Sequence, residues 1–390
     1  MKVTVLAVVA ALTFSAGAAY LVFVPNDQKP APVAALSASA GSALYDTSRI
    51  LELLKQLLML QQKVKQQPSI IASTTIPFAP VATSTTTTKP AAPVKPAAPK
   101  SVAPLNTETK LGLALPKVRS ATVNIVCLPV KSGTNVRGVS GTGVIIDPRG
   151  VILTVAHVAQ HHLIAAARPD LVSCVVRTGS PAIPAYIAKP IFVSEDWLET
   201  HGKQLSSSNP RGTGEDDFAL LAITDTATKT PLPSLFPSVS LAQNTPALKD
   251  GVVIGSYGAE FLSSATIRSG IFPTVVFGSV KDRFTFGTQT LDVISLGGGA
   301  AAQEGSSGGA AVNQDAQLIG LITSRSSADN LNDRDLRAIT NTYLQRAFRE
   351  ETGESISSFL SSDIKTLVSQ YAPEAAKRGD QLIKLNRLAN

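Results

Sequence analysis

The pattern of apolar and polar positions divides the 390 residues into five segments. An uncharged apolar run opens the chain, and a short helical repeat and a Pro/Thr/Ala-rich stretch follow it. In the longest segment, short apolar runs alternate with Gly, Pro and Ser, and helical periodicity returns only after residue 341. Short runs of this kind are typical of strands in antiparallel barrels. We therefore expect an all-β domain over residues 106–348 and a helical C-terminal tail over 349–390.

The N-terminal run predicts a membrane segment. Lys2 precedes 22 uncharged residues from Val3 to Val24. About 20 apolar residues span a bilayer, whereas a signal peptide has a shorter apolar core and a small-residue cleavage site. Ala16-Gly17-Ala18 offers such a site, but the apolar stretch continues past it. Residues 1–25 are predicted to be an uncleaved, single-pass signal anchor, with a cleaved signal peptide as the alternative. Either way, the rest of the chain is expected on the extracytoplasmic side, and it is secreted or periplasmic if cleavage occurs.

Two further segments lie between this anchor and the β domain. Residues 26–66 contain apolar positions spaced alternately by three and four, which is the seam of a short coiled-coil-like helix: Ile50, Leu53, Leu57, Leu60 and Val64. Residues 44–67 are expected either to form a homo-oligomer or to pack on the chain's own β domain. Residues 67–105 cannot bury enough apolar surface to order themselves and are predicted to be a disordered linker.

Candidate chemistry begins at Gly305-Ser306-Ser307-Gly308-Gly309. Glycine permits a sharp backbone turn that aims consecutive N–H groups at one point, where they can stabilise an oxyanion formed by serine attack. A plain turn is the alternative. The four histidines, His157, His161, His162 and His201, all precede Ser307, which excludes the nucleophile-elbow order of Ser, acid and His.

A base and an acid follow from strand patterns. Gly143–Ile146 and the run from Val151 are β-branched and apolar, and Asp147-Pro148-Arg149-Gly150 suits a tight turn, so they predict a hairpin with His157 at its end. His161 and His162 are expected to be solvated. Asp217 adjoins the apolar strand that starts at Phe218, and this placement favours it over Glu215 and Asp216 as the acid that orients an imidazole.

These residues carry a family resemblance. The chain resembles trypsin-fold (chymotrypsin-like) serine proteases, closest to the HtrA/Deg type, through four segments in order over Ser120 to Leu344: Gly141–Asp147, Thr154–Val158, Asp217–Leu221 and Gly305–Val312 with Leu318–Leu321. The resemblance implies two six-stranded antiparallel Greek-key barrels. It also implies that Ser307 is the nucleophile, His157 the general base and Asp217 its orienting acid, with the N–H groups of Gly305 and Ser307 as the oxyanion hole. The reaction would be peptide-bond hydrolysis through an acyl-enzyme, without a metal or an organic cofactor.

The chain also departs from this family. Ser306 stands where the family usually has Asn or Asp, and no segment resembles the PDZ domain that often follows HtrA-type proteases. By the family's spacing, Ala301 lies near the base of the first specificity pocket, which predicts a preference for small or aliphatic side chains. The polar loop Glu195–Gly214 lengthens the interval between His157 and Asp217.

Cysteine usage and charge add two expectations. Cys127 and Cys174 lie in strand-like segments on either side of the hairpin that carries His157, so either a disulfide or two buried thiols are expected. Two cysteines without a His/Cys cluster do not match a zinc-binding pattern, so no zinc site is predicted. The formal net charge is +7, but the basic residues are scattered and no aromatic–basic platform appears, so no nucleic-acid binding is expected.

Three functions are consistent with this sequence. The favoured prediction is a membrane-tethered extracytoplasmic serine endopeptidase that acts on protein or peptide substrates. The alternatives are a catalytically inactive protease-fold binding module and a membrane-anchored oligomerising scaffold. In the tail, Ser362-Asp363 is expected to cap one helix and Pro373 to start another.

Overall fold

The computed structural model describes residues 106–131, 134–205, 212–287 and 290–388. The predicted anchor, heptad segment and linker, residues 1–105, lie outside these ranges. Within them, none of the helices combines the length and the apolar character needed to cross a bilayer.

The first half of the β domain is a closed barrel of six antiparallel strands in the order β1-β2-β3-β6-β5-β4. Its strands are β1 (Thr122–Pro129), β2 (Val139–Asp147), β3 (Val151–Thr154), β4 (Val172–Gly179), β5 (Ala182–Val193) and β6 (Ala219–Thr226). Helix α1 (Thr107–Ala121) leads into β1, α2 (Ala156–Ala167) follows β3, and α3 (Glu195–His201) follows β5. The apolar runs read from the sequence form its core: β3 is buried along its whole length and β6 over its first five residues.

The predicted hairpin of β2 and β3 is confirmed. Val144 lies opposite Leu153, and the Gly150 N–H donates to the Asp147 carbonyl at 2.9 Å to close the turn. Gly150 has φ +93°, a conformation that favours glycine. The strand ends at Thr154, however, and helix α2 starts only two residues later, so His157 lies in the first turn of a helix.

The second half is an open sheet of eight strands. It contains β7 (Ser240–Leu241), β8 (Gly251–Ser256), β9 (Thr274–Ser279), β10 (Asp282–Phe284), β11 (Val293–Gly297), β12 (Ala310–Val312), β13 (Gln317–Arg325) and β14 (Leu336–Thr340). The strand order is β10-β11-β14-β13-β12-β8-β9, and β7 pairs with β13. Among the strands of the described residues, the edge strands β9 and β10 each pair with one neighbour. The prediction of two six-stranded barrels is therefore right for the first half and wrong for the second, which does not close.

The remaining helices are α4 (Ser264–Ser269), α5 (Asn341–Thr352), α6 (Ile356–Phe359) and α7 (Ile364–Leu385). Asp363 caps α7 by accepting a hydrogen bond from the Thr366 N–H at 3.1 Å. Pro373 lies inside this one helix and does not start a second, contrary to expectation. A buried face that includes Leu367, Leu382 and Ile383 lies along both halves of α7, and its packing outweighs the hydrogen bond that proline removes.

Helix α7 packs on α2 and β5 of the first barrel. The closest approach is at Gly379, where a Cβ atom would lie 2.0 Å from the Leu163 carbonyl oxygen. This packing of α7 helps to bury most of α2. His161 and His162, predicted to be solvated, are 6% and 3% exposed. That prediction was wrong, because the segment that covers these histidines lies about 200 residues further along the chain.

Candidate active site

His157 and Asp217 are in direct contact. His157 Nδ1 lies 2.7 Å from Asp217 Oδ2, and the His157 backbone N–H donates to Asp217 Oδ1 at 3.0 Å. Because a carboxylate only accepts hydrogen bonds, the proton of the neutral imidazole is on Nδ1 and the lone pair is on Nε2. The two bonds fix both the position and the tautomer of the imidazole.

The elements around this pair explain its rigidity. Asp217 is buried at the entrance to β6, whereas Glu215 is exposed. Asp216 has φ +55°, and its carboxylate accepts a hydrogen bond from the Tyr343 hydroxyl. The side chain of Gln160, one turn along α2, donates to the His157 carbonyl at 2.9 Å. The structure therefore brings only one of the three candidate carboxylates to the imidazole.

The environment of His157 changes its proton affinity. Burial alone would lower the pKa of the imidazole, but the charge and the hydrogen bond of Asp217 outweigh burial and raise that pKa above its ordinary value. The side chain is still one-third exposed. Within the described ranges no carboxylate pairs with His161 or His162, and burial lowers their pKa values to about 4 and about 3. His157 is thus accessible and able to accept a proton, whereas the neighbouring His161 and His162 stay neutral.

Ser307 lies on the loop before β12, close to the strand that leads to His157. Its carbonyl accepts a hydrogen bond from the Thr142 N–H at 2.8 Å. Thr154 Oγ1, at the end of β3, donates to the Thr142 carbonyl at 2.7 Å. A Cβ on Gly308 would lie 1.8 Å from that carbonyl and 2.5 Å from Thr154 Oγ1, so this position requires glycine. Ser307 is half-buried, and its loop is tied to the first barrel through Thr142.

The loop from Gly305 to Ser307 offers two free donors. In the described part of the chain, the N–H groups of Gly305 and Ser307 donate to no atom. Gly305 has φ +89°, and its carbonyl accepts from Thr142 Oγ1 at 2.7 Å. Ser306 is buried and its hydroxyl donates to Ser256 Oγ at 3.1 Å. The serine in place of the usual Asn or Asp is thus hydrogen-bonded inside the second half of the domain.

Comparison with known proteins identifies this domain. Residues 141–321 match the family profile described as trypsin-like peptidase domain. The chain carries a trypsin-like peptidase domain. No curated protein matches the sequence. The Rv3671c protease from M. tuberculosis, in its active form, is similar in structure at 16% identity and a TM-score of 0.39, over 67% of this chain and 95% of that one. The serine endoprotease from Yersinia pestis is similar at 18% identity and a TM-score of 0.39, over 65% and 69% of the two chains.

In the peptidase domain, Cys127 and Cys174 form a disulfide with an S–S distance of 2.05 Å. They are directly opposite on neighbouring strands β1 and β4. His162 Nδ1 lies 3.9 Å from Cys127 Sγ, so two sulfurs and one imidazole meet in a group that could in principle ligate a metal ion. The disulfide uses both thiolates that a metal would need, which leaves His162 as one remaining ligand.

Ala301 is buried with Ala302 in the core of the second sheet, six residues before Ser307. Its role at the base of a specificity pocket stays a prediction. The structure also places several residues at the site of the peptidase domain that sequence reasoning missed: Gln160, Glu260, Arg334 and Tyr343. Glu260, Arg334 and Tyr343 act through long-range contacts with backbone groups, which no local motif marks. Gln160 acts through a local contact with the His157 carbonyl.

Proposed function

We propose that the peptidase domain is a serine endopeptidase with Ser307, His157 and Asp217 as its catalytic residues. The observation that carries the proposal is the 2.7 Å contact of His157 Nδ1 with Asp217, which leaves Nε2 as the proton acceptor. A trypsin-like fold implies a protein or peptide substrate.

In this mechanism, Ser307 Oγ attacks the peptide carbonyl carbon while Nε2 takes the hydroxyl proton. The N–H groups of Gly305 and Ser307 receive the negative charge on the carbonyl oxygen. His157 then gives its proton to the leaving amine, and the acyl-enzyme remains. Water, activated by the same nitrogen, releases the acid and restores the free serine.

Labelling by a fluorophosphonate probe tests this mechanism, because the probe reacts only with an activated serine. The wild-type protein should label, and Ser307→Ala should abolish labelling. Ser306→Ala is the matched control, since that hydroxyl is buried against Ser256 and should not react. Labelling that survives in Ser307→Ala would exclude Ser307 as the nucleophile.

The alternative is an inactive binding module with the same fold. The one observation that favours it is Ser306 at a position where Asn or Asp is usual. Well-folded protein that stays unlabelled and hydrolyses no peptide, yet captures a defined protein ligand, would establish this alternative.

We also propose that residues 1–25 anchor the domain to a membrane, with residues 67–105 as a spacer and the domain on the extracytoplasmic side. The disulfide supports an oxidising compartment. Protease treatment of intact cells should digest the domain, and N-terminal sequencing should decide between an anchor and a cleaved signal.

Deletion of residues 44–67 should reduce the oligomer size if the heptad segment assembles the protein. A scaffold would lose its function on this deletion and keep it in Ser307→Ala.

A further inference from the structure

The peptide group between Glu304 and Gly305 is held by a neighbouring loop. The Glu304 carbonyl accepts a hydrogen bond from the Ala259 N–H at 2.7 Å. A trans peptide points its C=O and its N–H in opposite directions. Fixing the Glu304 carbonyl therefore fixes the direction of the Gly305 N–H, which donates to no described atom.

The next residue of that neighbouring loop adds a second bond. Glu260 Oε2 accepts from the Glu304 N–H at 3.1 Å. Ala259 and Glu260 thus hold both backbone groups of Glu304, as an adjacent strand would. The approach is close enough that a Cβ on Gly305 would lie 2.6 Å from the Tyr257 carbonyl oxygen. The donor peptide is therefore packed against this loop as well as hydrogen-bonded to it.

Arg334 holds Glu260 in place. Its Nη1 and Nη2 donate to Glu260 Oε2 and Oε1 at 2.6 and 2.9 Å, in a bidentate pair. The guanidinium is 5% exposed, and it also donates to the carbonyls of Ala302 at 2.8 Å and Ala328 at 2.7 Å. Arg334 thereby contacts the same loop as Glu304, two residues earlier.

The charges around the pair favour the ionised form of the Glu260 carboxyl. Arg325 Nη2 lies 3.3 Å from Glu260 Oε2 and 3.4 Å from Glu304 Oε1. The hydrogen bond from Arg334 lowers the pKa of the Glu260 carboxyl below its ordinary value. Two cations and the Glu304 N–H converge on this one carboxylate, so its position is strongly determined.

We propose that Glu260, held by Arg334, is a positioning residue that aims the Gly305 N–H into the oxyanion hole. The inference rests on the proposed peptidase function. Without Glu260, the Glu304 N–H loses its partner, and the Glu304 backbone keeps only the bond from Ala259 to its carbonyl. Rotation about the Glu304 backbone then becomes freer, so the Gly305 N–H is correctly aimed for a smaller fraction of the time. Complete removal of one oxyanion donor costs about 10²- to 10³-fold in rate, which is the ceiling for such a misalignment.

A graded series of variants tests this role. Glu260→Gln retains an oxygen that can accept from Glu304 but loses the ionic pair, and we expect kcat to fall about tenfold. Glu260→Ala removes both contacts, and we expect a fall of about a hundredfold. KM should change less than about twofold, because the oxyanion forms only in the transition state. The inhibition constant of a peptidyl boronate should rise in proportion to the loss of kcat/KM across the series.

The matched control is Asp335→Asn. Asp335 follows Arg334 directly and pairs with Arg337 at 2.7 Å, but it has no contact with the Glu304 loop. This variant loses an ion pair of similar position and should keep kcat within about twofold of the wild type. Its thermal midpoint shows how much of any change reflects stability alone.

The outcomes separate the two proposals. If the wild-type protein neither labels nor hydrolyses peptides, the peptidase function fails. If the wild type is active and both folded Glu260 variants keep its kcat and boronate affinity, only the positioning role fails. If Glu260→Ala loses its near-UV circular dichroism, it is not folded, and its kcat cannot be used. Glu260→Gln and Arg334→Lys then test the positioning role, since both keep the buried volume close to that of the wild type.

Discussion

Tyr343 clamps Asp216 through two hydrogen bonds. The Tyr343 hydroxyl donates to Asp216 Oδ1 at 2.7 Å and accepts from the Asp216 N–H at 3.0 Å. Asp216 has φ +55°, an uncommon conformation for a residue other than glycine, and it immediately precedes Asp217. A tyrosine on helix α5 thus fixes the backbone that presents Asp217 to His157.

Tyr343→Phe should therefore reduce both stability and rate. The ring stays buried, but the partly buried Asp216 loses its partner, at a cost of about 1–3 kcal/mol in the free energy of unfolding. We expect kcat to fall about tenfold, because small misplacements of catalytic groups are costly, while KM stays near its wild-type value. Chemical denaturation and steady-state kinetics measure the two effects. An unchanged kcat in a destabilised variant would limit Tyr343 to a structural role.

The pH dependence of kcat/KM should report the His157–Asp217 contact. The base must be neutral, so kcat/KM should fall tenfold per pH unit below the raised pKa of His157, which lies above the ordinary 6.5. Asp217→Asn removes the charge that raises this pKa and should move the acid limb to lower pH, with a loss in kcat of about 10⁴. Titration of the histidine Cε1–H signals by NMR measures the pKa independently of the rate. An acid limb that does not move would contradict the assignment.

His161 and His162 should make the domain sensitive to acid. Their pKa values, about 4 and about 3 in the folded chain, lie below 6.5, so the unfolded chain binds more protons as the pH falls. The contribution of each histidine to the free energy of unfolding is complete above pH 6.5 and decreases below it. The loss is about 2 kcal/mol per histidine at pH 5. The raised pKa of His157 acts in the opposite direction: its contribution is present below pH 6.5 and is lost as the pH rises through the folded value. His162→Leu should flatten the acid limb of the free energy of unfolding, and an unchanged slope would disprove the assignment.

Removal of the disulfide should destabilise the first barrel. The bond closes a loop of 47 residues, and chain entropy predicts a loss of about 4 kcal/mol on its removal. The double variant Cys127→Ala/Cys174→Ala should show this loss in urea denaturation. The wild type in dithiothreitol should approach the same stability, whereas the double variant should not respond to the reductant. A double variant as stable as the oxidised wild type would show that the bond does not contribute.

A matched pair of glycines tests the docking of α7. Glycine in a helix is normally about 1 kcal/mol less favourable than alanine, so Gly112→Ala on the open side of α1 should stabilise the domain slightly. Gly379→Ala should instead destabilise it by about 1–3 kcal/mol, because its Cβ would lie 2.0 Å from the Leu163 carbonyl oxygen. Thermal unfolding of the two variants measures the difference. Equal shifts would mean that α7 moves away from α2 at no cost.

The sequence predicted the features that depend on local pattern. The β2–β3 hairpin and strands β8 and β9 follow from alternation and turn residues, and the choice of Asp217 over Asp216 agrees with the contact to His157. The open edge between β9 and β10 and the single helix through Pro373 did not follow, because they depend on which distant segments pack together.

The missed residues at the site share one physical cause. Glu260 and Tyr343 act on the backbone N–H groups of Glu304 and Asp216, and every residue has such a group. Neither the type nor the spacing of the side chains therefore indicates these pairs. The buried histidines of α2 were missed for a related reason, since α2 packs against strands of the first barrel and against the distant helix α7.

Thr142 links the two halves of the domain at the loop that carries Ser307. From the first barrel it donates to the Gly305 carbonyl and to the Ser307 carbonyl, while His157 and Asp217 both belong to that same barrel. A shear that slides the sheet past the barrel would load the bonds at Thr142 together with the other bonds between the two halves, such as that of the Tyr257 hydroxyl to the Gly179 carbonyl. Displacement of the sheet relative to the barrel should therefore change the position of Ser307 relative to His157, which the proposed peptidase mechanism requires to be fixed.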